Sequence, residues 1–525
     1  MRSRSGNGQC GHVRASKIEL MGELLNLTRE VLDRARASRD ARFDGKFFIA
    51  VTSTKIYCRP VCPARTSKDC NVRYYATAAE ASEAGFRPCL RCRPEAAPGS
   101  PAWVGTSAVV RRALRLIQEG ALDSGSIDEL ANRLGIGGRH LTRLFAQHVG
   151  ASPAALAHTR RLHFAKRLLD DTHLAVTDIA LASGFGSVRR FNDAFLACYR
   201  RSPTKIRKLR PTNGEGDDAG VVLRLAYRPP YDWAHLLAFL SKRAIPGVEV
   251  IEDTNYWRAI RTASGYAVIR VRPVPGADSL ELRIRGAQPT DLLPVLTAAR
   301  RMFDLAADPA RIAIALGGDP LLRPLIQLRP GLRIPGVWEA FECCVRAIVG
   351  KQSRVSAART LLGRLVQCLG QPIEAAEDGI THLFPTPEAI ADADLEALGI
   401  FGMRRCAMQV IARGVRDHTI DFNVSNEDVA RTLSELPGVG RWIAGYTSLL
   451  GLGEPDALPY GDPILRQQAS SRGFPLGAQE LAARATRWRP FRGYAVFHLW
   501  EAHRDARLAA SLDVRKQPDL ACPEA

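Results

Sequence analysis

The period of the hydrophobic positions changes along the chain, and each change marks a unit. LTREVLDRARASRD has helical spacing, and FDGKFFIAVTSTKIY sets a turn before an apolar, β-branched run that predicts a strand. From residue 107 to 210 the spacing is helical again. Leu130 and Leu134 fall on one face, followed by Leu141, Leu144 and Phe145, and Phe191 and Phe195 stand at i, i+4. Alternation returns in VVLRLAYRPP, YAVIRVRPV and SLELRIRG, strands predicted around the helical WAHLLAFLSKRA. From about Gly331 the pattern is helical almost to the end. Two breaker-rich segments, RCRPEAAPGSP and TNGEGDDAG, read as linkers. The expected boundaries are a tail (1–25), a cysteine module (26–97), a basic helical module (101–210), a linker (211–220), a mixed α+β domain (221–330), an all-α domain (331–512) and a second tail (513–525). The expected fold class is therefore multidomain α+β, dominated by helices.

Composition sharpens this picture at two points. Lys and Arg number 73 against 54 Asp and Glu, a net charge of +19, which favours a polyanionic partner. No apolar run approaches a membrane span, and the N-terminus lacks the apolar stretch of a secretory signal. A cytoplasmic, nucleoid-associated bacterial protein with no membrane partner is expected. The 12 cysteines then read as thiols or metal ligands rather than disulfides.

Four cysteines have ligand spacing: Cys58-x3-Cys62 and Cys89-x2-Cys92. Paired thiolates at such intervals meet the tetrahedral demand of Zn2+, and most four-cysteine zinc sites are purely structural. The surrounding FFIAVTSTKIYCRPVCPAR and NVRYYATAAEASEAGFRPCLRC resemble the N-terminal domain of the Ada adaptive-response family. That resemblance implies methyl transfer from DNA methyl phosphotriesters to the first zinc-bound cysteine, here Cys58. Zinc keeps a thiol deprotonated at neutral pH, and the thiolate is the nucleophile. Arg59, Arg65 and Arg73 are candidate phosphate contacts, with solvated surface charge as the alternative.

SIDELANRLGIGGRHLTRLFAQHVG reads as helix, turn, helix, and VTDIALASGFGSVRRFNDAFLACYRRSP repeats the arrangement. Together they resemble the AraC-type transcription factor domain, whose paired units insert recognition helices into the major groove. Arg139, Arg143, Arg189, Arg190 and Asn192 are the candidate DNA contacts, alongside His140 and Ser187. Phosphate contact or solvation is the commoner role for each of them singly.

In LSELPGVGRWIAGYTSLLGLGEPDALPYGDPILRQ, Leu-Pro-Gly-Val-Gly between helices is a helix-hairpin-helix turn. Gly438 and Gly440 let the backbone approach a DNA phosphate. With Asp462 twenty residues after Trp442, the segment resembles the helix-hairpin-helix DNA glycosylases. YRPPYDWAHLLAFLSKRA, LRPGLRIPG and WRPFRGYAVFHLW narrow the likeness to 3-methyladenine DNA glycosylase II, the AlkA type, over about residues 221 to 505. The resemblance makes Asp462 the catalytic carboxylate, Trp442, Tyr446 and Trp500 the pocket for a flipped cationic base, and Gln352 the residue wedged into the duplex. For Asp462 the rival role is a helix N-cap before Pro463, and for each aromatic it is core packing. Where bifunctional members carry a Schiff-base lysine this chain has Trp442, so base release without strand cleavage is expected. The family's Gly-Gln-Gln-aliphatic segment is replaced by Lys351, Gln352, Ser353 and Arg354. No Pro-Cys-His-Arg motif occurs, so transfer from O6-methylguanine is not expected.

The combined expectation is an alkylation-damage response protein that excises N-alkylated purines such as 3-methyladenine and regulates transcription through methylation at zinc. Its partners would be double-stranded DNA, both alkylated and promoter, with RNA polymerase a candidate. Two alternatives stand beside it. One is a methylation-activated transcription factor whose glycosylase half only binds DNA, and the other a glycosylase with a purely structural zinc module.

Overall fold

The computed structural model describes residues 27–98, 108–118, 120–123, 125–208, 220–351, 353–374 and 379–516. Gln352, residues 211–219 of the linker, the whole first tail and residues 517–525 of the second lie outside them.

The cysteine module opens with the helix Arg29–Ser38 and a four-stranded sheet of order β3-β1-β2-β4. The strands are β1 (Phe48–Val51), β2 (Ile56–Cys58), β3 (Val72–Tyr75) and β4 (Arg87–Pro88). The predicted strand is thus a hairpin, folded at Thr52–Lys55. β2 and β4 run parallel with Tyr57 opposite Pro88, and Cys89 N–H donates to the Tyr57 carbonyl at 2.9 Å. This ladder sets Cys58 beside Cys89, so the two cysteine pairs meet although 26 residues separate them in sequence.

The basic module forms its two helix-turn-helix units, Ile127–Arg133 with Gly138–His148 and Val176–Ala182 with Val188–Tyr199. The helices begin where the sequence supplies caps. Ser126 and Glu129 make a capping box, and Ser187 accepts from Arg190 N–H. Leu130, Leu134, Leu141, Phe145, Phe191 and Phe195 are all buried, as their spacing predicts. The helix Pro153–Asp171 between the units packs against the cysteine module. Lys166 pairs with Glu95 at 3.4 Å, and Arg93 pairs with Asp170 and Asp171, each at 2.9 Å.

The mixed domain is a five-stranded antiparallel sheet of order β5-β9-β8-β7-β6. Its strands are β5 (Val221–Ala226), β6 (Glu249–Glu252), β7 (Asn255–Thr262), β8 (Gly265–Pro273) and β9 (Ser279–Arg285). β6 and β7 add to the three strands read from sequence. The sheet meets the following helices through a buried ion network. Glu249 pairs with Arg258 at 3.0 Å and Arg346 at 2.5 Å, while Glu342 pairs with both arginines. Burial would raise the Glu249 carboxyl, but Arg346 and Arg258 outweigh it and hold the group down at about 2. The helical remainder ends in Arg492–Lys516.

One apolar cluster runs from the second helix-turn-helix unit through the sheet and into that last helix, joining Phe191 and Phe195 to Leu223, Ile269, Phe497 and Leu499. The two halves are therefore packed together.

His498, 4% exposed, gives this last helix a pH dependence. Burial first, then Arg329 and His235, pushes its imidazole down to about 3. The unfolded chain takes up a proton near the ordinary value of 6.5, which the folded chain does not accept until far lower pH. The stabilisation is complete above 6.5 and lost as pH falls from there towards 3, with a slope of up to about 1.4 kcal/mol per pH unit. Thermal melts at about pH 7.5 and about pH 5.5 should show a larger loss of Tm for the wild type than for His498→Phe. Equal losses would rule this contribution out.

Candidate metal centre, DNA-binding surfaces and active site

The sulfurs of Cys58, Cys62, Cys89 and Cys92 all lie within 4.8 Å of one another. A tetrahedral zinc with bonds near 2.3 Å would set them about 3.8 Å apart, so the donor set and its spacing fit this ion. Hydrogen bonding from Cys58, Cys62 and Cys92 pulls the Cys89 thiol far down, and the same cluster contacts push Cys58 and Cys92 up. Four neighbouring sulfurs cannot all ionise unaided, and a dication removes that conflict. Cys89 and Cys92 are buried, whereas Cys58 and Cys62 are half-buried and reach the surface.

Arg59 supports this centre instead of standing free. Its backbone N–H donates to Cys92 Sγ at 3.3 Å, and its guanidinium is paired with Asp44 and donates to the Cys92 carbonyl at 3.1 Å. Arg65 and Arg73 are exposed.

Arg139, Arg143, Arg189, Arg190 and Asn192 are exposed near the starts of the second helices of their units. Ser187 instead serves as a cap, and Arg143 meets His140 Nδ1 at 2.9 Å.

The hairpin joins Asn426–Glu435 to Gly440–Tyr446. Gly438 and Gly440 hold φ of 79° and 66°, conformations that oppose any side chain. The helix that follows carries Trp442 and Tyr446 one turn apart, stacked with centroids at 5.1 Å, and Tyr446 faces Trp500 at 6.0 Å. The three half-buried rings form a row.

Asp462, 3% exposed, lies against this row. One oxygen, Oδ1, accepts from the backbone N–H groups of Ile464 and Leu465 at 2.8 and 3.2 Å, which makes Asp462 the N-cap of Pro463–Ser471. The other, Oδ2, accepts from the indole N–H of Trp442 at 2.7 Å and of Trp500 at 3.3 Å. The same carboxylate thus caps the helix through one oxygen and meets the aromatic row through the other. The aromatic row was legible from sequence; its two indole donors aimed at Asp462 were not, because ring identity says nothing of where an N–H points.

Comparison with known proteins accords with this geometry. Three family models match: the metal binding domain of Ada over residues 32–95, a helix-turn-helix domain over 130–209 and the AlkA N-terminal domain over 222–339. A probable bifunctional transcriptional activator/DNA repair enzyme AlkA of Mycobacterium tuberculosis is 39% identical over 89% of this chain and 95% of its own. DNA-3-methyladenine glycosylase 2 of Escherichia coli is 33% identical over 53% of this chain and 95% of its own. The bifunctional transcriptional activator/DNA repair enzyme Ada of the same bacterium is 36% identical over 28% of this chain and 40% of its own.

Zinc at the four cysteines predicts one metal ion per chain, released when a thiol reagent blocks them. Chelation should lower the unfolding temperature of the N-terminal module, since metal binding and folding are linked there. Protein isolated with no metal, and melting identically with and without chelator, would contradict this.

Proposed function

Since the chain belongs to the family of bifunctional transcriptional activators and DNA repair enzymes, with an Ada-type zinc and helix-turn-helix half joined to an AlkA-type glycosylase half, we propose that Asp462 and Cys58 carry its two reactions. It is a DNA alkylation-damage response protein that binds DNA, uses zinc and excises N-alkylated purines. The observation that carries the glycosylase assignment is the buried Asp462 carboxylate, fixed by four donors beside Trp442, Tyr446 and Trp500.

An N-alkylated purine carries a positive charge and leaves without further protonation. The C1′–N bond breaks with its electron pair going to the base, and cationic character develops on the sugar. Asp462 stabilises that charge, and a water oxygen then bonds to C1′ and releases one proton to solvent. The aromatic row stacks on the flipped, electron-poor base. Trp442 offers no amine for a Schiff base, so the reaction ends at base release. The amides around Gly438 and Gly440 hold a phosphate, and the family resemblance makes Gln352 the residue wedged into the duplex gap.

In the other half, Cys58, Cys62, Cys89 and Cys92 would hold a zinc ion, which when bound would keep them as thiolates. Cys58 sulfur attacks the methyl carbon of a phosphotriester, and the methyl–oxygen bond breaks with its electrons left on the phosphate. The product is a thioether and an ordinary diester, so each chain reacts once. The partial exposure of Cys58 supports this role, although Cys62 shares it. Arg139, Arg143, Arg189, Arg190 and Asn192 then grip promoter DNA, and RNA polymerase is the partner that an activator would recruit in the bacterial cytoplasm. The boundaries 26–97, 101–210, 221–330 and 331–512 divide these tasks.

Asp462→Asn tests the catalytic assignment: its amide oxygen can keep the helix cap, while its NH2 group faces the indole donors of Trp442 and Trp500, so a thermal melt and a DNA-binding measurement accompany the assay to separate lost chemistry from a disturbed site. Base release from methylated duplex should fall about a hundredfold or more while DNA binding persists. A fully active variant would remove Asp462 from the chemistry. Peptide mass mapping after incubation with phosphotriester-containing DNA should find one added methyl on the Cys58 peptide and none on those of Cys89 or Cys92. An unmodified Cys58 with zinc retained would leave a structural clamp.

A further inference from the structure

A cavity of about 560 Å³ lies where three units of the chain meet. Phe48 of the cysteine module lines it, with Leu114 and Phe164 of the helices Ala108–Gln118 and Pro153–Asp171 and Leu296 of the glycosylase half. None of the four clustered cysteines lines it, nor does Asp462 or any ring of the aromatic row. A mostly apolar enclosure of this size is typical of small-molecule sites, where a few polar groups fix the ligand.

The polar groups here are arginines whose charge is not balanced. Arg300, in the helix Leu292–Met302, lines the cavity and buries its Nη2 without a hydrogen-bond partner. Burial first, then nearby Arg167 and Arg228, pushes its guanidinium down to about 9, and no carboxylate pulls the other way. It therefore keeps its charge at neutral pH. Arg115 and Arg167 also line the cavity, and they donate to the backbone carbonyls of Val424 at 3.2 Å and Glu95 at 2.7 Å. A carbonyl satisfies a donor but brings no negative charge. The carboxylates of the same wall are engaged elsewhere. Asp308 pairs with Lys46 at 2.6 Å, Glu95 with Lys166 at 3.4 Å, and Asp304 accepts from the Tyr494 hydroxyl at 2.8 Å. Glu454 accepts from Asn426, and Glu427 is exposed. A buried cation with no counter-ion is a standing cost to the fold, and an anion entering the cavity would remove it.

We propose that this cavity binds a small organic anion, a carboxylate or phosphate carried on an apolar body, with Arg300 as its counter-ion. Arg115 and Arg167 each keep N–H groups beyond the one given to a carbonyl, enough to share the head group. The phenylalanine and leucine side chains cover the body. Such a ligand touches the cysteine module, the helix-turn-helix region and the glycosylase half at once, so its binding stabilises their packed arrangement. The site is independent of the chemistry proposed for Asp462 and Cys58.

The test titrates full-length, zinc-loaded protein with two dyes. One is 1-anilinonaphthalene-8-sulfonate, an aromatic body with a single negative charge, and the other is N-phenyl-1-naphthylamine, the same body without the sulfonate. The anionic dye should bind with one site per chain and raise the Tm. Arg300→Met should weaken it about tenfold or more, while the neutral dye stays within about twofold. Thr297→Phe, which narrows the cavity from its wall, should weaken both. Without dye, Arg300→Met should melt no lower than the wild type, because an uncompensated buried charge has been removed. A lower Tm for that variant would show that Arg300 serves the fold, and would overturn the proposal. Anionic dye bound equally by wild type and both variants would place it on the outer surface and overturn the proposal as well. Displacement of the dye by dodecanoate would identify an acyl carboxylate as the source of the anion, and displacement by a deoxynucleoside monophosphate an aromatic phosphate. Displacement by neither would overturn the assignment to a biological anion.

Discussion

Arg228 has no exposed surface, and the joining of the two halves depends on where its charge goes. Its Nε donates to the backbone carbonyl of Asp44 in the cysteine module at 2.9 Å, and its Nη1 to those of Ala306 and Ala307 in the glycosylase half at 2.9 and 3.3 Å. Burial pushes the guanidinium down to about 10, against the pull of Asp308 and Asp44, so it stays charged at neutral pH. A buried cation of this kind is tolerable only while its acceptors are in place, and each hydrogen bond to a charged group contributes roughly 1.5–3 kcal/mol. Lys46 adds a second buried tie to Asp308 at 2.6 Å. The same Asp44 holds Arg59, which bonds to Cys92. Metal centre and glycosylase half are therefore linked through three consecutive short contacts.

Those contacts explain which parts of the molecule could be read in advance. The cysteine spacing, the leucine and phenylalanine faces of the helix-turn-helix units and the glycines of the hairpin are local patterns, and each acts over a few residues. β7 was missed because NYWRAIRT alternates weakly, and its strand character comes from pairing with both β6 and β8. Arg228 and Lys46 carry no signal at all in sequence, since the partners named here lie 78 to 262 positions away. Arg59 looked like a phosphate contact because charge beside a cysteine can be seen in sequence, whereas the aspartate that neutralises it cannot.

Asp462 shows why cap and site were hard to separate. The sequence Asp-Pro before a helix is a sound cap, and the cap is real. A carboxylate has lone pairs to spare, however, and the backbone uses only Oδ1. Capping fixes the rotamer of the side chain, which leaves Oδ2 aimed at the aromatic row. The structural role is thus what positions the group, and the rigid helix start serves the chemistry proposed for it.

The two proposed reactions make opposite demands on burial, and the structure meets both. A phosphotriester lies on the outside of the duplex, so its acceptor must come to the DNA surface; Cys58 and Cys62 are the half-exposed members of their cluster. A damaged base lies inside the duplex and must come to the protein, so Asp462 can stay 3% exposed behind its rings. Burial strengthens the carboxylate's effect on a developing cation, and the cost of extruding the base is borne by contacts elsewhere on the DNA surface. A thiolate buried to the same depth could not reach a backbone phosphate, and an exposed carboxylate would lose most of its field to water. The two sites could not exchange burial environments, and a single chain that treats both lesions needs one site of each kind.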